Sequence, residues 1–271
     1  MGTEEIRKFV RDRYAGIASQ GGSCCGPAAC CGSQGGALGA SRNVGYSEDE
    51  IRSVPEGANL GLGCGNPIAL ASLEEGETVL DLGSGAGFDC FLAAREVGPK
   101  GRVIGVDMTP EMIEKARGNA RKGGFRNVEF RLGEIEHLPA ADASVDVILS
   151  NCVINLSTEK EKVFAEAHRI LKPGGRVMIS DLVLTGDLPE SVRKSLAAYA
   201  GCIGGAVPLS EYLRLMETAG FRDVSVVEGK AFDVSAEADW FADAFQIPRE
   251  AVQEAAGSIS SVSLIGRKPA V

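Results

Sequence analysis

A chain of 271 residues, 44% hydrophobic and 24% charged, can bury a full core as one large α/β domain or two modest ones. Its formal charge of −9 argues against a nucleic-acid partner, which needs a concentrated basic face, and favours a small-molecule substrate. The ordinary composition likewise argues against a membrane protein.

The opening residues, MGTEEIRKFV, carry acids and bases every few positions and no apolar stretch. Neither a signal peptide nor a membrane span is expected there, and the cytoplasm is the expected location. Ile6 stands where a myristoylation signal wants Ser or Thr, so no lipid anchor is expected either. Over residues 3–18, Ile6, Phe9, Val10, Tyr14 and Ile17 form an apolar helical stripe that needs a partner surface. Residues 21–45 are Gly, Ser, Ala and Cys with almost no large apolar side chain, which predicts a flexible segment rather than a core element. Cys24, Cys25, Cys30 and Cys31 lie in it as two adjacent pairs. The chain has eight cysteines, better read as reduced thiols for metal or redox chemistry than as a disulfide framework.

The centre alternates between apolar runs and helical stretches. The runs ETVLDLG (77–83), RVIGVD (102–107), NVEFRLG (127–133), VDVILSN (145–151) and GRVMISD (175–181) suit strands covered on both faces. Helices are expected at 88–97, after Thr109 and Pro110, and at 158–171, where the run Lys172, Pro173, Gly174, Gly175 stops the last one. This alternation predicts an α/β, doubly wound, mostly parallel sheet. Beyond Asp181 the pattern loosens into helices near 189–200 and 209–219, a strand at 223–228, a helix around Trp240 and a final apolar stretch at 261–266. Three parts are expected: residues 1–57 as a helix and cysteine-rich arm, 58–183 as the ligand-binding core, and 184–271 as an added region that completes the sheet.

In VLDLGSGAGFD a strand ends at Asp81 and Leu82 and runs into Gly83, Ser84, Gly85 and Gly87 before a helix. Glycines there permit a tight turn and close approach of a ligand to backbone N–H groups. A dinucleotide fingerprint would want Gly at position 88, which is Phe88. The G-x-G-x-G loop, with an acid two residues before its first glycine, instead resembles the first motif of class I S-adenosylmethionine methyltransferases. Asp107, followed by Met108, ends the next strand, where an acid accepts hydrogen bonds from both ribose hydroxyls of an adenosine. The third strand ends in RLGEIEHLP, where methyltransferases present an acid and a backbone N–H to adenine, and Glu134 and Ile135 match. Asn151 closes the fourth strand and is counted with the cofactor residues.

Cys64 lies ahead of the first sheet strand, Cys152 just past the fourth and Cys202 after the fifth. Ligands gather at the carboxyl ends of strands in open α/β sheets, so Cys152 is expected beside the methyl donor. The glycines around Cys64 and Cys202 read as mobile loops able to join it. Three thiols together would select a soft, thiophilic ion, and trivalent arsenic forms a three-sulfur pyramid with a free lone pair.

The set GLGCGNP, LDLGSGAGFDC, VDMTPEM, SNCVINL and GCIGGA, over about residues 58–206, resembles the arsenite methyltransferase family. The resemblance implies a Rossmann-like class I methyltransferase fold and arsenite held by Cys64, Cys152 and Cys202. It also implies S-adenosylmethionine as methyl donor and a thiol reductant, glutathione or thioredoxin, as co-substrate. Cys24, Cys25, Cys30 and Cys31 are candidates for a redox relay, because their adjacent pairs depart from usual zinc-ligand spacing. Cys90 is assigned to packing, and neither His137 nor His168 is expected to be a ligand. Two other readings stay open: methylation of a quinone, sterol or other small organic molecule, and soft-metal binding without turnover.

Overall fold

The computed structural model describes residues 2–20, 36–232 and 238–270. The segment with Cys24, Cys25, Cys30 and Cys31 lies outside them. The five expected central strands form as β1 (Thr78–Leu82), β2 (Arg102–Asp107), β3 (Val128–Leu132), β4 (Val145–Asn151) and β5 (Leu171–Leu184). Two more, β6 (Arg222–Ala231) and β7 (Ile259–Arg267), complete a seven-stranded sheet in the order β3-β2-β1-β4-β5-β7-β6. β1 to β5 pair in parallel, and β7 runs antiparallel between β5 and β6.

Alternate residues of each strand feed opposite cores, because side chains alternate across a strand. Leu80, Leu82, Ile104 and Ile148 pack with α7 (Lys160–Ile170) and α10 (Leu209–Thr218) on one face. Val79, Val103, Val147 and Leu149 pack with α4 (Pro67–Ala71), α5 (Phe88–Glu96) and α6 (Pro110–Gly123) on the other. α6 follows its sequence signals: Thr109 precedes it, Pro110 opens it, and Gly124 ends it at φ +69 in the left-handed region. Burial of each large strand side chain contributes about 1.5 to 3 kcal/mol.

The apolar stripe near the N-terminus is α1 (Thr3–Gln20), which lies against α6 and against α9 (Leu196–Ala200). Residues 21–45 are not uniformly irregular as expected. α2 (Gly36–Asn43) is helical and buries Gly39, Ala40 and Ser41. Small residues hid this helix: Gly61 approaches so closely that a Cβ on it would lie 2.9 Å from Ala37 Cα. α3 (Glu48–Ser53) follows with a reciprocal Ser47/Glu50 cap. The helix expected at 189–200 is two short ones, α8 (Glu190–Arg193) and α9, and the Trp240 helix α11 (Ala238–Phe245) is followed by an unanticipated α12 (Arg249–Ala255). Among the described residues no helix is long and apolar enough to cross a membrane.

Candidate active site

Strand order reverses between β1 and β4: β2 and β3 extend from one side of β1 while β4 lies on the other. The crevice outside the carboxyl ends of such strands is where open α/β sheets bind ligands. A cleft of about 1230 Å³, counting its open mouth, lies there.

The glycine turn forms its β1 wall. Ser84 N donates to Val106 O at 2.9 Å, tying the turn to β2. Gly83 has φ +65, and a Cβ there would stand 2.4 Å from Val153. Gly85 has φ +51 and open space where a side chain would be. Asp107 receives Gly85 N on Oδ2 at 3.0 Å and Thr109 N on Oδ1 at 2.8 Å. Burial raises its pKa against those bonds. Asp81, Gly83, Ser84, Gly85, Asp107, Met108, Ile135 and Asn151 all line the cleft. Gly87 and Glu134 are not among the lining residues. Gly87 caps α5 from φ +95, where a Cβ would meet Phe130 and Phe91 at 2.8 Å. Glu134 sits 3.8 Å from Arg7 Nε, and Glu136, two residues on, lines the cleft instead. Arg7, Val10 and Tyr14 bring α1 across the cleft as a further wall.

Asn151 knits this side to the next. Its Oδ1 accepts Cys64 N at 3.0 Å, and its Nδ2 reaches Asp89 Oδ2 and Tyr46 Oη, each at 3.0 Å. Tyr46 Oη donates to Asp89 Oδ1 at 2.5 Å. Burial pushes the Asp89 carboxyl up to about 6, against the bonds from Tyr46 and Asn151. Burial, then the Asp89 charge, also raises Asp81 well above the carboxylate range. Cys90 Sγ donates to Asp81 Oδ2 at 3.2 Å, so this thiol satisfies a buried acid as well as packing.

The three expected cysteines converge. A carboxylate oxygen of Asp181 and the sulfurs of Cys64 and Cys152 lie within 4.8 Å of one another. Cys202 joins through Cys152: its Sγ approaches Cys152 O at 2.8 Å. All three are buried, and Cys152 alone of the three lines the cleft. Cys152 and Cys202 have φ of +58 and +65, conformations that cost a side-chain-bearing residue about 1 kcal/mol or more and cluster at functional sites. The flanking glycines are tightly packed rather than loose. A Cβ at Gly63 would lie 2.6 Å from Asn151 Nδ2, one at Gly65 2.6 Å from Ser180, and one at Gly205 2.0 Å from Asn155 O. They let backbone approach backbone and so hold the cysteines together.

The Cys202 thiol is raised well above its ordinary range by the hydrogen bond to Cys152 and by burial. At Cys152 the bond from Cys202 acts downward, but the bond to Cys64, burial and nearby charges outweigh it. Asp181 is pushed up to about 6 by burial, opposed by its hydrogen bonds and by Lys160. Asp181, Asp89 and Tyr46 were not singled out from the sequence. The position of Asp181 at the carboxyl end of GRVMISD was the available signal. His137 and His168 lie away from the cleft lining, and His168 packs edge-on against Phe221.

Residues 73–220 match the family model described as "Methyltransferase domain". The arsenite methyltransferase of Halobacterium salinarum is 53% identical over 89% of this chain and 63% of its own length. That of Homo sapiens is 40% identical over 59% of this chain and 44% of its own. The crystal structure of CrArsM, an arsenic(III) S-adenosylmethionine methyltransferase from Chlamydomonas reinhardtii, superposes with a TM-score of 0.65 at 34% identity. That superposition covers 85% of this chain and 74% of CrArsM. The chain thus spans between 44% and 63% of the length of these curated relatives. With the domain model covering over half its residues and this likeness to CrArsM, the chain belongs to the methyltransferase-domain family and, within it, to the arsenite methyltransferases.

Proposed function

We propose that this chain transfers a methyl group from S-adenosylmethionine to trivalent arsenic held by Cys64, Cys152 and Cys202. The observation that carries the reading is the meeting of three buried thiols at the end of β4, with Cys152 opening onto the cleft lined by Gly83, Gly85 and Asp107.

The residues fit the donor. Each oxygen of Asp107 carries one backbone N–H and keeps acceptor capacity for a ribose hydroxyl, and Gly85 leaves room for a ligand against the backbone. Met108, Ile135 and Asn151 line the space around them. Glu134 and Ile135 are the proposed adenine contacts, with Gly87 supporting the turn from the helix end. S-adenosylmethionine, when bound, supplies a methyl carbon activated by a positively charged sulfonium.

The thiols need no strong base. Arsenite is uncharged at neutral pH, and each As–OH can be exchanged for As–S with the thiol proton leaving in water. Thiols kept protonated by burial are therefore competent partners. Three such exchanges leave arsenic with a lone pair and three sulfurs. Alignment then supplies much of the rate, on the order of 7 to 11 kcal/mol for well-oriented reactants. Residues 58–183 hold the donor, residues 184–271 close the arsenic site, and residues 1–57 comprise the N-terminal helix and the cysteine-rich arm. Glutathione or thioredoxin is the proposed reductant, with Cys24, Cys25, Cys30 and Cys31 as relay and the cytoplasm as compartment.

The test is an incubation of purified protein with arsenite, methyl-labelled S-adenosylmethionine and a thiol reductant, read by mass for methylated arsenic. Cys152→Ser and Cys202→Ser are expected to lose the product. Wild-type rates in both would overturn the thiol cradle and favour an organic acceptor.

A further inference from the structure

Asp181 lies in β5 one residue past the end of its pairing with β4 and is fully buried, yet it is not on the cleft wall. Four donors converge on its two oxygens. Oδ1 receives Asn155 Nδ2 and Leu182 N, both at 2.9 Å, and Oδ2 receives Tyr212 Oη at 3.0 Å and Asn155 N at 3.3 Å. Three of the four are N–H groups that cannot accept a proton, and four bonds fill the acceptor capacity of a carboxylate. These donors favour the ionised form against burial and leave Asp181 no lone pair for a metal. At neutral pH it is an oriented negative charge within 4.8 Å of the Cys64 and Cys152 sulfurs. Lys160, buried nearby, partly offsets it, and Tyr212 stays neutral.

Resting on the function proposed above, methyl transfer moves charge. The arsenic lone pair forms the As–C bond, the donor's S–C bond breaks with its electron pair staying on sulfur, and one unit of positive charge passes to the arsenic centre. The cysteines and Asp181 are buried, so an oriented anion acts there with little screening. We propose that Asp181 is a positioning residue of electrostatic kind, whose buried negative charge stabilises the positive charge that develops on cysteine-bound arsenic during transfer. It touches neither arsenic nor donor. Its effect therefore falls on the transfer step and not on arsenite capture, which exchanges neutral species.

Three variants test this, each read two ways: arsenic retained on the protein after equilibrium dialysis, and single-turnover methylation of the arsenite-loaded fraction. Asp181→Asn keeps the shape and removes the charge. It is expected to retain arsenite within about threefold of wild type while transfer slows about 100-fold. Tyr212→Phe removes one hydrogen bond but leaves the charge, and is expected to slow transfer less than about fivefold. Lys160→Met removes the offsetting cation and is expected to speed transfer about two- to fivefold. The proposal is overturned by a normal transfer rate in Asp181→Asn, by an equal loss of arsenite retention there, or by slower transfer in Lys160→Met. A wild-type protein that retains arsenite but never methylates it would instead sink the parent function.

Discussion

On the β1 to β3 side the cleft is walled by backbone and carboxylates. Gly83 and Gly85 turn at positive φ, and Asp107 accepts Gly85 N from that turn and Thr109 N from the loop after β2. On the β4 and β5 side it is walled by sulfur set in apolar packing, where Cys64, Cys152 and Cys202 share a core with Leu182, Ile203 and Phe245. The first wall comes from one continuous strand-helix-strand stretch, with Gly85 and Asp107 22 residues apart, and suits a polar nucleoside. The second collects residues from five separate segments and suits a soft, uncharged acceptor. Polar recognition is thus local in sequence, whereas the sulfur cradle exists only through close approach of distant backbones.

That contrast can be broken from either side. The largest effect is expected for Cys152→Ser: arsenite methylation in single turnover falls about 1000-fold, because a ligand that aims the acceptor is gone. Donor affinity, measured by calorimetry, stays within about threefold. Asp107→Ala does the reverse. Losing charge-assisted bonds worth about 1.5 to 3 kcal/mol each weakens donor binding about 100-fold, while arsenite retention by dialysis is unchanged.

The acceptor side also carries a pH signature. The folded pKa of Asp181, about 6, lies above its ordinary 3.8, so between those values the folded chain holds a proton that the unfolded chain has released. Its contribution to stability therefore rises as pH falls from 7 to 4 and is lost as pH rises through 6, by about 3 kcal/mol in all. Urea melts of wild type against Asp181→Asn at pH 7 and pH 4 should show the difference moving toward wild type by that amount. A flat difference would mean that the carboxyl does not titrate in this window. At the seam, Tyr46→Phe removes the donor to Asp89 and should cost about 1 to 2 kcal/mol of stability in the same assay. Donor and arsenite binding should each weaken only a few-fold, since Asn151 still bridges Asp89 and Cys64.

The five parallel strands were legible because each is a short apolar run between helix caps and glycine breaks. The turn from Asp81 through Gly87 and the acid Asp107 were legible because positive φ and carboxylate chemistry leave few alternatives. Other features were not. α2 is built from Gly, Ala and Ser, whose burial depends on the neighbouring Gly61 and not on their own hydrophobicity. The glycines around Cys64 look like flexibility in one dimension, but they are close packing in three. Asp181 looks like one more strand-end acid until Tyr212, Asn155 and the sulfurs are seen around it.

By itself the sequence determined the alternating architecture, the donor turn and the three cysteines worth following. These rest on periodicity, glycine's access to positive φ, and the chemistry of individual side chains, all of which are local. Only the tertiary structure decided that the cysteines meet, that Cys152 alone of them lines the cleft, and that a buried anion stands behind two of them. Those facts depend on how strand ends and loops far apart in the chain pack together, a property of the whole sheet that no single segment encodes.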